Sequence, residues 1–365
     1  MLCGALTTGI ISSNVKVASA STKITDLKIL NPIEDLIKTT LDSEYHIMTD
    51  WKSRSGQDLI SNKDLLKLYN KKNAFKSKWY EKVNLKIKDF NSDVKINNVY
   101  KTDNNTYMVD ASYSVNFYVD ETLSELSESR NEPHKFEIKD NNGKFTINKM
   151  IDIVDDIDIT EQAEAKTKSN EELFENYDKR LSEENVHIDE LNKNIDKYAK
   201  EVITNDNNEV EERNPNSRYS GYNSSSAVAY ARKWAFSKNP GFNYYPDNDC
   251  QNFVSQSVYA GGVPGSAYWY NGHKNWTVVP NFFKYINDNG YTYGGTSSSS
   301  ARVGDVVQLY NSGKAQWSHS MILTSKSSSG AWNYTAHTTD RKDFPLANAY
   351  PTKTFTKIRY IKFWH

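Results

Sequence analysis

Residues 247–262 read Asp247-Asn248-Asp249-Cys250-Gln251-Asn252-Phe253-Val254-Ser255-Gln256-Ser257-Val258-Tyr259-Ala260-Gly261-Gly262. Phe253, Val254, Ser257 and Val258 recur at helical spacing, and the glycine pair ends the run. The acids just ahead of it suit the positive end of a helix. The stretch therefore predicts a buried helix with Cys250 in its first turn. That position favours the thiolate over the thiol, and backbone N–H groups there can hold an oxyanion. Cys250 is the expected nucleophile. The chain has two cysteines, and the other, Cys3, falls in a segment expected to be removed. A mature exported chain would then keep one thiol, which points to reactivity rather than a disulfide.

A thiolate nucleophile needs a base that is itself held by a third group. Downstream, Arg302–Leu309 has the pattern of a strand, and Trp317–Leu323 that of another, with His319 near its start. Ala331–His337 forms a third, in which Asn333, Thr335 and His337 share one face. His319 is the expected base. Upstream, Ser224-Ser225-Ser226 is expected to cap a helix whose apolar face is Ala227, Tyr230, Ala231 and Trp234.

Four ordered stretches carry a family resemblance: Asn248–Gln256, Gly304-Asp305-Val306-Val307, Ser318-His319-Ser320-Met321-Ile322 and Tyr334–Arg341. Together they resemble the amidase domain found in secreted bacterial proteins, a branch of the NlpC-type papain-like cysteine hydrolases. The resemblance covers residues of about 219–363 and nothing upstream. It implies a helix-borne cysteine packed on an antiparallel sheet that carries the histidine. It also implies a third polar residue on the strand after the base. His337 matches that place, with Asn333 and then Asp340 as alternatives. The 18-residue step from His319 to His337 calls for an insertion near Ser325–Gly330. Relatives line the oxyanion site with a tyrosine upstream of the cysteine, a place that Tyr244 or Tyr245 would fill. Trp269 and Trp276 are the expected walls of a substrate groove.

The rest of the chain divides by pattern. Residues 1–20 resemble an export signal ending in Val17-Ala18-Ser19-Ala20, though without the usual basic start. Residues 25–158 show helical periodicity in Asp26–Lys38, in a run opened by Ser61-Asn62-Lys63-Asp64, and in Ala74–Phe90. Strand-like alternation follows in Val94–Tyr100, Thr106–Val119, Lys135–Ile138 and Lys144–Val154. This is an α+β accessory module, similar in pattern to nuclear-transport-factor-like or cystatin-like cones. Residues 160–204 form a charged helical segment with a thin apolar stripe that includes Leu181, Val186 and Leu191. Residues 205–217 form a polar linker, and 218–365 the cysteine amidase or peptidase domain. The fold class is thus α+β, in two modules.

Charge supports the division. From Asn216 onward there are 15 Lys and Arg against 6 Asp and no Glu, a net charge of +9 within a chain of net −1. A basic catalytic module is drawn to an anionic polymer such as a cell wall. The expected activity is a secreted, cysteine-dependent amidase or peptidase acting on cell-wall peptide or peptidoglycan. Two rivals stand beside it: a wall-binding or signalling module without turnover, and an acyl or peptide transferase on the same fold. No cofactor is expected. Seven scattered histidines lack zinc-ligand spacing, so no metal is expected either. No glycine-rich phosphate loop or nucleic-acid motif is present, and no apolar run is long enough for a membrane span. No obligate protein partner is inferred.

Overall fold

The computed structural model describes residues 24–103, 105–119, 125–159, 161–203, 221–293 and 295–364. The expected export segment, Cys3 and the expected linker at 205–217 lie outside them.

The first half begins with two long helices, α1 (Leu27–Asp50) and α2 (Lys63–Lys82). Asp26 caps α1 through a hydrogen bond from the Lys28 N–H, and Asn62 caps α2 through those of Asp64 and Leu65. The run opened by Ser61 and the first part of the Ala74–Phe90 run are one helix, α2. Beyond it Val83, Leu85 and Ile87 are buried in an irregular stretch that is neither helix nor strand. Four strands follow: β1 (Asn91–Asp103), β2 (Thr106–Phe117), β3 (Ser127–Asn141) and β4 (Lys144–Asp152). Val109, Ala111, Tyr113, Val115 and Phe117 of β2 bury one face, as their alternation requires.

The charged segment forms α3 (Gln162–Thr167), α4 (Asn170–Leu173), α5 (Tyr177–Lys193) and α6 (Ile195–Val202). Helix α5 packs on α2 through Leu181, Ile188 and Leu191. Val186 is 60% exposed, so it is no part of the stripe.

The second half contains α7 (Ser224–Trp234), α8 (Cys250–Ala260), α9 (Lys274–Thr277) and α10 (Val279–Asp288). These precede β5 (Val306–Asn311), β6 (Gln316–Lys326), β7 (Trp332–Ala336), β8 (Arg341–Pro345) and β9 (Phe355–Ile361). Helix α7 is capped by the Asn223 side chain rather than by the serines after it. The step from His319 to His337 is taken up by the rest of β6, which runs on to Lys326, and by the turn at Ser327–Gly330.

The strands form one antiparallel sheet of order β1-β2-β3-β8-β7-β6-β5-β9, with β4 also paired to β3. The architecture is α+β, but the two halves share this sheet. Their junction is short: Glu128 pairs with Lys342 and Ser129 with Arg341. Each face of the second half's sheet is covered. Val306, Ile322 and Ile361 pack under α8 with Phe253, Val254 and Val258. Leu309, Met321, Leu323 and Tyr334 lie on the opposite face, in one core with α1, α2 and β2 from the first half.

Candidate active site

Every residue of the Asp249–Asn252 run has a distinct task. Cys250 is the first residue of α8 and is 2% exposed. Gln251 anchors the helix to the sheet, its Oε1 accepting from Ser320 Oγ at 2.6 Å and from Gln308 Nε2 at 3.0 Å. Asn252 Nδ2 donates to the Asn243 carbonyl and to Asp249 Oδ1, both at 2.8 Å, while its Oδ1 accepts from Trp276 Nε1 at 2.9 Å. These bonds explain a polar face on a buried helix: each group would otherwise be an unpaired dipole in the core.

Asp249 does not cap its helix. Its Oδ1 accepts from the Tyr245 N–H at 3.0 Å, and its Oδ2 lies 2.7 Å from His337 Nδ1. The cap is Thr338, whose Oγ1 accepts from the N–H groups of Asp249 at 3.1 Å and Cys250 at 3.2 Å. Neither contact is legible as a motif, since the partners are 88 or 89 residues apart in sequence.

His337 lies on Phe253, ring centroids 4.0 Å apart, and its Nε2 lies 2.8 Å from the Trp234 carbonyl. Both ring nitrogens thus face acceptors, a carboxylate and a carbonyl. A neutral imidazole has one donor and would leave one of these contacts repulsive; the imidazolium satisfies both. Burial opposes that charge, but the Asp249 hydrogen bond, the nearby Asp340 and the Trp234 carbonyl outweigh it and raise the pKa. Asp340 is raised in turn, chiefly by burial.

Cys250 carries the reverse shift. Burial pushes its thiol up to about 11, against the backbone N–H groups of Ser320 and Gln251. Sγ lies 3.9 Å from the Ser318 carbonyl. In this closed arrangement desolvation outweighs the helix terminus that was expected to favour the thiolate.

The structure does not bring His319 to Cys250. Ser320 and Ile322 of β6 face α8, whereas His319 faces the first half of the chain. It borders a void of about 40 Å³ shared with Asp155, Gln162, Tyr334 and Arg341. Its ring stacks near Phe355 at 6.0 Å, and its Nδ1 is buried without a hydrogen-bond partner. Burial, then the positive Arg341, hold its pKa down to about 3. Asn333 also lies apart, bonded through Nδ2 to Ser325 Oγ at 2.9 Å.

Trp269 and Trp276 are 0% and 1% exposed, so they are core and not groove. They pack at 4.6 Å between centroids. Tyr244 stands at the rim, 43% exposed and edge-on to His337 at 6.4 Å. Tyr245 turns towards Asn243, whose Nδ2 donates to its hydroxyl at 3.3 Å.

Residues 221–360 match the family described as "Putative amidase domain". The chain is 32% identical over 153 residues to "Uncharacterized protein YjcM" of Bacillus subtilis (strain 168), covering 39% of this chain and 36% of that one. It is 29% identical over 152 residues to "Uncharacterized protein YhbB" of the same organism, covering 38% and 44%. The chain thus spans less than half the length of the curated relatives it matches. The match supports an amidase-domain family for residues 221–360, the segment that holds Cys250, Asp249, His337 and Thr338.

Proposed function

We propose that residues 221–360 form a cysteine-dependent hydrolase of amide bonds, with Cys250 as nucleophile and the Asp249–His337 pair as its proton-handling partner. The observation that supports this reading is the Asp249–His337 contact made by the residue next to Cys250 at the start of α8, inside the amidase-matched segment. His319, the base expected from sequence, is replaced by His337, because it lies across the sheet.

In the resting site His337 is charged and Cys250 is a thiol. Loss of one proton to solvent, with His337 turning from the Trp234 carbonyl towards Sγ, leaves a thiolate beside an imidazolium. The thiolate attacks the amide carbon, and His337 gives its proton to the departing amine. The neutral imidazole then takes a proton from water, which cleaves the thioester and regenerates the thiol. Asp249 keeps the imidazole oriented throughout.

The substrate this reading favours is cell-wall peptide, reached by an exported chain whose second half carries the excess of positive charge described above. The papain-like, NlpC-type arrangement belongs to the same reading. A second reading, a wall-binding module without turnover, is favoured by one fact: the thiol is nearly sealed from solvent.

The test is digestion of purified wall by wild type, Cys250→Ala, His337→Ala and His319→Ala, with released fragments weighed by mass spectrometry. Cleavage should be lost in the first two variants and kept in His319→Ala provided that variant folds. Wall binding without fragments from wild type would favour the second reading. Loss of chemistry in a folded His319→Ala, with His337→Ala active, would reinstate His319.

A further inference from the structure

A cavity of about 160 Å³ lies between the two halves of the chain, far larger than the void beside His319. An apolar cavity of about 150 Å³ holds one benzene, so the space suits a molecule of a few heavy atoms. Its walls are charged, and the pairing among them is uneven. Three lysines border it, and each has a carboxylate. Lys72 Nζ is 2.7 Å from Asp156, Lys76 pairs with Glu44, and Lys353 Nζ is 2.8 Å from Glu184.

What remains is acidic. Asp152 turns inward, its Oδ1 accepting from the N–H groups of Val154 at 2.8 Å and Asp155 at 3.1 Å. The Asp155 carboxylate borders the cavity with no hydrogen bond or close ion pair among the described residues; Lys76 and Arg341 act on it from further away. Asn348 spends its Nδ2 on Glu44 and Tyr80, at 3.0 and 2.9 Å, which leaves its Oδ1 buried with no donor. The third unmet group is His187 Nε2, which accepts when the proton sits on Nδ1, the nitrogen that faces Glu190 at 4.0 Å. Phe75 and Trp79, stacked at 6.4 Å, supply an aromatic wall.

We propose that this cavity binds a small organic cation bearing a primary ammonium or guanidinium group. Its N–H donors meet Asp155 and Asn348 Oδ1, and its carbon chain lies on the aromatic wall. An anion is disfavoured, because every lysine is already neutralised. Burial foremost, against the pull of Lys76, holds the Asp155 carboxyl above its usual range, which a bound cation would reverse. The site is independent of Cys250 and of the amidase reading.

The experiment is calorimetric titration of the full chain, with melting temperature as a second readout. The probes are n-butylammonium and n-propylguanidinium, with 1-butanol as the neutral analogue and butyrate as the anion. The cations should bind one per chain and raise the melting temperature; butanol and butyrate should do neither. Asp155→Asn should weaken cation binding by about tenfold or more. Lys353→Met, at the rim, frees Glu184 and should tighten it. No cation binding to wild type overturns the proposal, as do equal binding of butanol, an unchanged affinity in Asp155→Asn, or a Lys353→Met that binds no more tightly. Should Asp155→Asn fail to fold, Lys353→Met decides.

Discussion

Cys250 and Thr338 form the smallest unit in which this site can be tested. One hydroxyl accepts two N–H groups at the start of α8, and the same hydroxyl, donating to the Cys250 sulfur, lowers the thiol pKa. Thr338→Val should therefore cost about 0.5–2 kcal/mol, as the loss of a helix cap does. It should also raise the pH inflection of Cys250 alkylation relative to that of wild type. Denaturant titration and iodoacetamide kinetics read the two effects; an inflection that falls would refute the assignment. His337 supplies the complementary test. Its folded pKa lies above the ordinary 6.5, so its pairing stabilises the fold fully below that range and is lost as pH rises through the folded value. Melting temperature should drop across that interval in wild type, and His337→Gln should flatten this part of the profile. The placement of Cys250 at a helix start was legible from local periodicity. The Asp249–His337 pair was not, because only the packing of β7 against α8 brings the two together.

At the scale of the element, a bulge in β6 accounts for the side of the sheet on which His319 lies. Strict alternation would put Trp317 and His319 on one face. Instead Leu309 pairs with His319 and Tyr310 with Trp317, so Ser318 is an extra residue, a β-bulge. Trp317 packs under the Arg359 guanidinium at 4.2 Å, on the side of Phe283 and Gln308, and Ser320 faces that same side. His319 between them is sent across the sheet. From His319 to Ser325 the strand is buried on both faces, so hydrophobic patterning offers no signal for which face meets the cysteine helix. The Gly304-Asp305 motif, by contrast, has a local reason. Gly304 has φ +94, and a Cβ there would lie 2.5 Å from Ser224 Cβ and 2.9 Å from its Cα. Asp305 joins the neighbouring segments, accepting from the Arg302 N–H at 2.7 Å and the Phe363 N–H at 2.9 Å. Gly304→Ala should destabilise by about 1–3 kcal/mol from overpacking, with positive-φ strain in addition. Denaturant unfolding measures this, and a change below about 0.5 kcal/mol, typical of a neutral surface site, would contradict it.

For the whole molecule, the composition and charge split suggested two modules, and the pattern of each half does yield its own helices and strands. Periodicity within each half did not reveal that both bury into one core. Strand pairing between β3 and β8 is short, so the union rests mainly on side chains. Arg341 is the centre of it: its guanidinium reaches Glu132 at 2.8 Å, both side chains being over nine-tenths buried, and its Nη1 donates to the Tyr334 hydroxyl at 3.3 Å. Around it Trp79 Nε1 donates to the Ala347 carbonyl at 2.8 Å, and Ser127 Oγ to the Asp343 carbonyl at 2.6 Å. Removing one partner of a buried pair strands the other charge, at a cost of about 3–5 kcal/mol. Glu132→Gln keeps the shape and removes the charge, so the loss should lie within or below that range. Because Glu132 belongs to the first half and Arg341 to the second, the loss should appear in the unfolding of both. Scanning calorimetry of wild type should show one transition, and Glu132→Gln should shift it whole to lower temperature. If the modules were independent, two transitions would be seen in wild type, and the variant would move at most the one that contains Glu132.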